Sequence, residues 1–113
     1  MKMDAHKKYL DNLIFNLNKI GEDRKGVEWL SREPILFIEN SLDQYPMCDL
    51  LIGFYDTTGL CVELKSSKYS RDKAIKQLES GNKVMTERFG YFFVRSKIAY
   101  YQGGKFTFEE VEV

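Results

Sequence analysis

The chain is poor in the features that mark secreted, membrane-bound and zinc-stabilised proteins. Its 113 residues include only two cysteines and one histidine, and no Cys-x-x-Cys pair or Cys/His cluster occurs. A structural zinc site is therefore not expected. Two cysteines without a disulfide framework favour a reduced, intracellular protein, which predicts a cytoplasmic location. No apolar run approaches membrane-spanning length and no signal-peptide core is present, so we expect no membrane partner.

The chain also lacks net charge, so its bulk composition does not indicate a nucleic-acid partner. Basic and acidic residues number 17 each, but they are unevenly distributed. Residues 1–64 carry seven basic and eleven acidic groups, whereas residues 65–88 carry seven basic and three acidic groups. A basic segment directly after an acidic one is typical of a phosphate-binding face beside a metal site. A solvated helix face is the alternative, and it is the commoner explanation of a Lys-rich helix taken alone.

Composition and hydrophobic periodicity predict one folded domain spanning residues 1–113. Hydrophobic residues make up 43% and aromatic residues 14% of the chain, which argues against disorder. A helix from Asp4 to Ile20 would bury an apolar stripe and end at Gly21. Residues 21–34 are polar and irregular in pattern, with Trp29 and Leu30 as their anchors to the core.

A short buried strand is predicted at Ile35–Ile38. A loop from Ser41 to Pro46 then follows and would bring Asp43 into the neighbourhood of Asp49. Beyond it lies the segment that bears most on function, residues 48–68.

Residues 48–68 are predicted to form a hairpin with one apolar and one polar face. Side chains alternate along a strand, so Glu63 and Lys65 share a face. A three-residue loop, Thr57–Gly59, with Gly59 in the left-handed conformation, would pair Gly53 with Glu63. Asp49 then joins Glu63 and Lys65, whereas a two- or four-residue loop would move it to the other face. The apolar face would consist of Leu50, Ile52, Phe54, Leu60, Val62 and Leu64.

The spacing Pro46-x-x-Asp49, followed after thirteen residues by Glu63-Leu64-Lys65, resembles the PD-(D/E)xK nuclease superfamily. It is most similar to archaeal-type Holliday junction resolvases and related small viral nucleases. The resemblance covers the order of elements from about Asp4 to Val94. It implies a restriction-endonuclease-like fold and a 5′-phosphate product. Small nucleases of this kind are common in viruses and mobile elements, and a viral one would act in the host cytoplasm.

The resemblance also implies roles for individual residues. Asp49 and Glu63 would hold Mg²⁺ or Mn²⁺, helped by the backbone carbonyl of Leu64, because hard cations prefer oxygen ligands. Lys65 would orient the attacking water or stabilise the developing negative charge. Related nucleases place a Glu on the first helix, but no Glu occurs there. His6 is the nearest position of the apolar stripe, and it is interpreted as a structural residue outside the site.

A second helix is predicted from an N-cap at Ser70 to a stop at Gly90. Gln77, at the edge of its apolar stripe, is a candidate catalytic residue by resemblance to RecB-type nucleases and, on balance, an equally plausible boundary residue. The acidic Asp72 falls in the first turn. Two further groups of residues are assigned in this region: an apolar stripe that faces inward and a set expected to bind DNA. The stripe is Ala74, Ile75, Leu78, Gly81 and Met85, and the DNA-binding set is Lys68, Arg71, Lys73, Lys76 and Lys83.

The C-terminal third is predicted to form three short strands, Tyr91–Val94, Ile98–Tyr101 and Phe106–Phe108, with the last turn at Gly103-Gly104. Its aromatic residues exceed what a small core can absorb, which predicts a homodimer whose interface draws on residues 89–108. Stacking on nucleic-acid bases is the alternative.

The sequence therefore predicts an α/β fold of order αβββαβ with a mixed central sheet and a C-terminal β-hairpin extension. The predicted function is a divalent-metal-dependent DNA endonuclease with a preference for particular DNA structures, such as junctions. One alternative is a non-cleaving nucleic-acid-binding or scaffolding protein on the same fold. Another is an unrelated α/β domain in which Glu63 and Lys65 form an exposed ion pair on an edge strand.

Overall fold

The computed structural model describes residues 5–32, 35–37, 44–46 and 48–113. These residues form two α-helices and seven β-strands. The helices are α1 (Ala5–Phe15) and α2 (Arg71–Lys83). The strands are β1 (Val27–Arg32), β2 (Ile35–Phe37), β3 (Gln44–Pro46), β4 (Leu50–Phe54), β5 (Thr58–Lys65), β6 (Phe93–Gln102) and β7 (Lys105–Val111). Among the described residues, neither helix is long and apolar enough to cross a membrane.

A five-stranded mixed sheet with the order β1-β4-β5-β6-β7 forms the centre of the fold. β5 and β6 run parallel and the other neighbouring strands run antiparallel. The parallel pair needs a crossover, which α2 supplies. The predicted α/β class and the mixed central sheet are thus confirmed. β2 and β3 form a separate two-stranded sheet.

The two helices cover opposite faces of the sheet, which we call the α1 face and the α2 face. The predicted apolar face of the hairpin packs against Leu10, Leu13 and Leu17 from the α1 segment. Because alternate strand residues point to opposite faces, the remaining side chains of β4 and β5 lie on the α2 face. There Ala74, Leu78, Gly81 and Met85 contact the sheet, as the apolar stripe predicted.

Several element boundaries differ from the prediction. α1 ends at Phe15, and a 3₁₀ turn continues to Ile20 before Gly21 closes it with a φ of 80°. The Asn16 side chain donates to the Asn12 carbonyl at 2.8 Å, a local bond that competes with the helix. Ser70 occupies the N-cap position of α2 without a side-chain capping bond, and Asp72 lies in the first turn as predicted.

The prediction that residues 21–34 are irregular was wrong, because β1 forms the first strand of the central sheet. Only its pairing with β4 makes this polar segment a strand, since its own alternation is weak. Trp29 and Leu30 pack against the two core clusters, as expected. The strand predicted at Ile35–Ile38 pairs with β3 instead of joining the central sheet. Asp4, Ile38 and Asp43 lie outside the described residues.

In place of the two strands predicted at 91–94 and 98–101, residues Phe93–Gln102 form one continuous strand, β6, and residues 91 and 92 precede it. The polar residues between them are accommodated because Arg95 and Lys97 both pair with Glu22, at 2.7 and 3.4 Å. The Gly103-Gly104 turn is confirmed, with φ of 56° and 77°. Such a two-residue turn needs two positive φ values, which glycine adopts without strain.

Candidate active site

Asp49 and Glu63 lie next to each other at one end of the β4–β5 hairpin, on the α2 face. The register pairs Leu50 with Val62, which places Asp49 opposite Glu63. The backbone N–H of Asp49 donates to Glu63 Oε1 at 2.9 Å. The backbone N–H of Leu64 donates to Asp49 Oδ2 at 2.8 Å. Each carboxylate is thus fixed by the other's strand, so the two acids form one rigid unit.

The predicted hairpin register was wrong, although its consequence for the site holds. Gly53 pairs with Gly59 rather than with Glu63, and the left-handed residue is Thr57, with a φ of 70°. The observed pairing differs from the predicted one by four residues, an even number, so every side chain stays on its predicted face. The loop closes earlier because Asp56 Oδ1 accepts from the Thr58 backbone N–H at 3.0 Å, a local turn that pattern reasoning overlooked.

Gly53 is also not open on the side where a side chain would project. A Cβ atom built on Gly53 would lie 2.2 Å from Trp29 Nε1 and 2.4 Å from the Tyr91 hydroxyl. Trp29 Nε1 donates to that hydroxyl at 2.7 Å. Gly53 therefore makes room for an aromatic pair at the other end of the strands.

Lys65 lies beside the two acids, as the sequence predicted. Its Nζ lies 3.0 Å from Glu63 Oε2, and the Glu63 side chain is only 2% exposed. β5 is the central strand of the five. The hypothesis of an exposed ion pair on an edge strand is therefore wrong. Burying this pair costs several kcal/mol, an expense that a merely structural ion pair seldom recovers.

The electrostatics of the site leave Glu63 short of positive charge. Burial, followed by the negative charge of Asp49, raises the pKa of Glu63 from 4.5 to about 8, although Lys65 acts in the opposite direction. A carboxyl with this pKa mostly keeps its proton at neutral pH. One more cation beside the two acids would favour the ionised form. A perturbed acid in a cluster of charged groups is characteristic of functional sites.

His6 belongs to this cluster, contrary to the interpretation that it lies outside the site. Its Nε2 is 3.1 Å from Asp49 Oδ2, and its side chain is 31% exposed. The two side chains thus share one hydrogen bond between α1 and the start of β4. The signal was present in the sequence, because His6 lies one helical turn before Leu10. Only the packing of α1 against the sheet showed that this position reaches Asp49.

Gln77 lies above the same end of the sheet. Gly81 faces the thiols of Cys48 and Cys61, and Gln77 is one turn, about 5.4 Å, nearer the start of α2. α2 runs opposite to β5, so this step leads from the level of Cys61 toward that of Glu63. Gln77 Oε1 is buried, and no donor reaches it within the described part of the chain. A buried acceptor without a donor is expected where a water or a cation belongs.

The donor set fits a small hard cation, although it is not a complete protein cage. In the described ranges, no group of three or more His, Cys, Asp or Glu side chains is arranged to hold a metal ion. Mg²⁺ often uses only one or two carboxylates and keeps several waters. Asp49 Oδ1 carries no hydrogen bond from the described residues, and the orphaned Gln77 Oε1 could accept from a metal-bound water. The Leu64 carbonyl points to the same side of β5 as the N–H that binds Asp49.

The residues assigned to DNA binding differ in their surroundings. The Arg71 guanidinium binds both carboxylate oxygens of Glu109, at 2.8 to 3.1 Å, and Glu109 also accepts from the Tyr100 hydroxyl at 3.0 Å. Tyr100 is the β6 neighbour of Lys65, so this group adjoins the site. The side chain of Lys68 lies outside the described part. Lys73, Lys76 and Lys83 are exposed on α2.

Comparison with protein-family models, with curated proteins and with solved structures gave no significant match. The function of this chain therefore has to be argued from the site itself.

Proposed function

We propose that this protein is a divalent-metal-dependent DNA endonuclease that hydrolyses phosphodiester bonds. The observation that carries the proposal is the rigid pair of Asp49 and Glu63, with Lys65 beside it, in a nearly buried polar site. Two acids held together in this way repel each other unless a cation lies between them. Burial, followed by this repulsion, raises the pKa of Glu63.

The order of elements supports a restriction-endonuclease-like fold as part of the proposal. A helix and an edge strand, β1, precede the hairpin, and α2 leads from β5 to the parallel strand β6. This order corresponds to αβββαβ once the small β2–β3 sheet is taken as an insertion. β7 then forms the C-terminal hairpin extension with β6. A shared fold alone does not give a shared activity, so the site carries the functional part.

In the proposed reaction, Asp49 and Glu63 would hold Mg²⁺ or Mn²⁺, together with the Leu64 carbonyl. When bound, the ion would activate a water and offset charge on the scissile phosphate. Glu63 holds the Lys65 ammonium in place, and Lys65 orients the water or stabilises the developing negative charge. Gln77 offers an acceptor that helps to position the water. His6 restrains the Asp49 carboxylate from the α1 side, and a 5′-phosphate product follows from the family resemblance.

One observation favours the alternative of a non-cleaving nucleic-acid-binding or scaffolding protein on this fold. The described residues provide no third acidic ligand, and α1 contributes a histidine in place of a carboxylate. A site with only two acids holds a divalent cation more weakly than one with three. Activity with Mn²⁺ but not with Mg²⁺ would agree with the weaker site, whereas no activity with either ion would favour the binding protein.

The proposed partners and location follow from the same site. DNA is the proposed substrate. The proposed location is intracellular, and a viral protein would act in the cytoplasm of its host. Cys48 and Cys61 are free thiols, as a reducing compartment requires. The homodimer stays a prediction. Four of the aromatic residues expected at its interface pack within the fold instead. Tyr100 is buried, whereas Tyr101, Phe106 and Phe108 pack against the α1 core.

The test is incubation of the purified protein with supercoiled plasmid, linear duplex and four-way-junction DNA, in Mg²⁺, in Mn²⁺ and in EDTA. We expect metal-dependent cleavage that Asp49→Asn and Lys65→Met abolish while both variants stay folded. Glu112→Gln, an exposed acid far from the site in sequence, is the matched control and should cleave normally. Full activity after substitution of both Asp49 and Glu63 would rule out the proposed site.

A further inference from the structure

Three hydrogen-bond donors converge on the carboxylate of Glu109 in β7. The Arg71 guanidinium donates from Nε at 2.9 and 3.1 Å and from Nη2 at 2.8 Å. The Tyr100 hydroxyl donates to Glu109 Oε1 at 3.0 Å. We call Arg71 and Tyr100 the donor pair. The carboxylate is thus held by a planar guanidinium fork together with a phenol hydroxyl.

The donor pair is chemically suited to a phosphate as well as to a carboxylate. A guanidinium presents its N–H groups in a rigid fork that matches the oxygens of both anions. Burial, followed by the bond to Glu109, raises the pKa of the Tyr100 hydroxyl, so this group keeps its proton and donates. Tyr100 is only 6% exposed and packs in the core between α2 and the sheet. The donors therefore form a preformed anion site, which Glu109 occupies.

The sheet places this anion site beside the candidate active site. Glu109 pairs with Ile98 on β6, and Ile98 pairs with Glu63 on β5. Paired residues of neighbouring strands project to the same face, so Glu109 and Glu63 both lie on the α2 face, two strand spacings or about 10 Å apart. Tyr100 is in turn the β6 partner of Lys65. At a rise of 3.4 Å per nucleotide, 10 Å corresponds to about three nucleotides of one DNA strand.

Glu109 can leave the donor pair at little cost. Its side chain is 34% exposed and that of Arg71 is 43% exposed. A half-exposed ion pair contributes little to stability, because water solvates both groups when they separate. Rotation about the side-chain bonds of Glu109 moves its carboxylate into solvent without a change in the backbone. Glu63, whose side chain is only 2% exposed, has no such freedom.

We propose that Arg71 and Tyr100 form a second phosphate site and that Glu109 fills it when no DNA is bound. Resting on the proposed function, this means that a phosphate about three nucleotides from the cleaved bond displaces the Glu109 carboxylate. One oxyanion replaces another, so every donor keeps an acceptor. A free anion competes with Glu109 only at its own concentration, whereas a strand already held at the active site competes at a high effective concentration. Glu109 therefore favours strands that reach both sites.

The argument for a phosphate depends on converging donors and not on a surplus of positive charge. Asp72, next to Arg71 in the first turn of α2, is an exposed acid. The competing interpretation is a structural ion pair in which Glu109 only holds Arg71 in place. The two interpretations differ in sign, because loss of a competitor strengthens DNA binding, whereas loss of a support weakens it or leaves it unchanged.

The experiment measures the affinity of each variant for a short fluorescent duplex, in EDTA to prevent cleavage and at about 0.1 M salt. Glu109→Ala should bind about 3- to 5-fold more tightly than wild type, since a half-exposed ion pair is a weak competitor. Glu110→Ala is the matched control, because it removes the same charge from the next residue, which is exposed and projects to the opposite face. Its gain should stay below about 2-fold, because salt screens charges beyond about 10 Å. Tighter binding cannot result from a loss of folded protein.

The gain in Glu109→Ala must depend on the donor pair. Arg71→Ala should weaken binding by about 5-fold or more, since it removes a charge-assisted phosphate contact. In that background, Glu109→Ala should gain no more than Glu110→Ala does. Tyr100→Phe, which removes one donor, should reduce the gain. Unchanged or weaker binding by Glu109→Ala, or a gain that survives Arg71→Ala, would overturn the inference.

The proposed function stands or fails separately. Cleavage in Mg²⁺ or Mn²⁺ without a gain in Glu109→Ala would keep the nuclease and reject the second phosphate site. The gain without cleavage in either ion would reject the nuclease and support the site on a DNA-binding protein. No DNA binding by the wild type or by any variant would reject the second phosphate site.

Discussion

Replacement of Glu63 by Gln should make the folded protein more stable at alkaline pH and leave its stability at acidic pH nearly unchanged. Gln keeps the shape and the acceptor oxygen that binds the Asp49 N–H, but it has no proton to lose. The wild-type carboxyl has a pKa of about 8 in the folded protein and an ordinary value of 4.5 when solvated. The two proteins should therefore differ only where the wild-type group ionises.

The sign follows from proton linkage. Between pH 4.5 and about 8 the folded protein keeps the Glu63 proton, whereas the unfolded chain has released it. The contribution of Glu63 to the free energy of unfolding is thus fully present below pH 4.5 and is lost as the pH rises through about 8. At about 1.4 kcal/mol per pH unit, the wild type loses at most about 5 kcal/mol relative to the Gln variant. Relaxation and water entry reduce this, so we expect about 2 to 5 kcal/mol.

Thermal unfolding measured from pH 4.5 to 9 without divalent ions provides the assay. A domain of this size shifts by roughly 3 to 5 °C per kcal/mol, so the variant should melt roughly 6 to 25 °C above the wild type at pH 9. The two midpoints should nearly coincide at pH 4.5. Glu79→Gln, an exposed position on α2, is the matched control and should follow the wild type throughout. A constant difference between wild type and Glu63→Gln would show that folding does not raise the pKa of Glu63 and would refute the reasoning.

Three further predictions address the metal, the exposed lysines of α2 and the packing. Mg²⁺ at ten times its dissociation constant should stabilise the wild type by about 1.4 kcal/mol at pH 8, and Asp49→Asn should remove that shift in a thermal scan; a shift that persists would place the ion elsewhere. Replacing Lys73, Lys76 and Lys83 by Ala should lower the slope of log affinity against log salt by about two for single-stranded DNA, with the Ala variant of Lys7, Lys8 and Lys25 as the matched control; equal slopes would leave α2 a solvated face. Gly81→Ala should cost about 1 to 3 kcal/mol in chemical denaturation because its Cβ would lie 2.7 Å from Cys48 Sγ, and an unchanged midpoint would contradict that packing.

The sequence by itself determined which residues share a face. Alternation along β4 and β5 separates the apolar set from Asp49, Glu63 and Lys65, and an error of an even number of residues in the register cannot change that. The helical stripe from Ala74 to Met85 and the Gly103-Gly104 turn were predictable for the same reason, because they depend on local spacing and backbone sterics.

The tertiary structure decided which of these residues meet. β1 is a strand because β4 offers its edge, and β6 is continuous because it pairs with β5 without interruption from Phe93 to Tyr100, while Glu22 binds both of its cations. His6 joins the site because α1 packs across the sheet at the level of Asp49, a contact 43 residues apart in sequence. The pKa of Glu63 likewise depends on burial and on its distance from Asp49 and Lys65. These are long-range quantities that no local pattern contains.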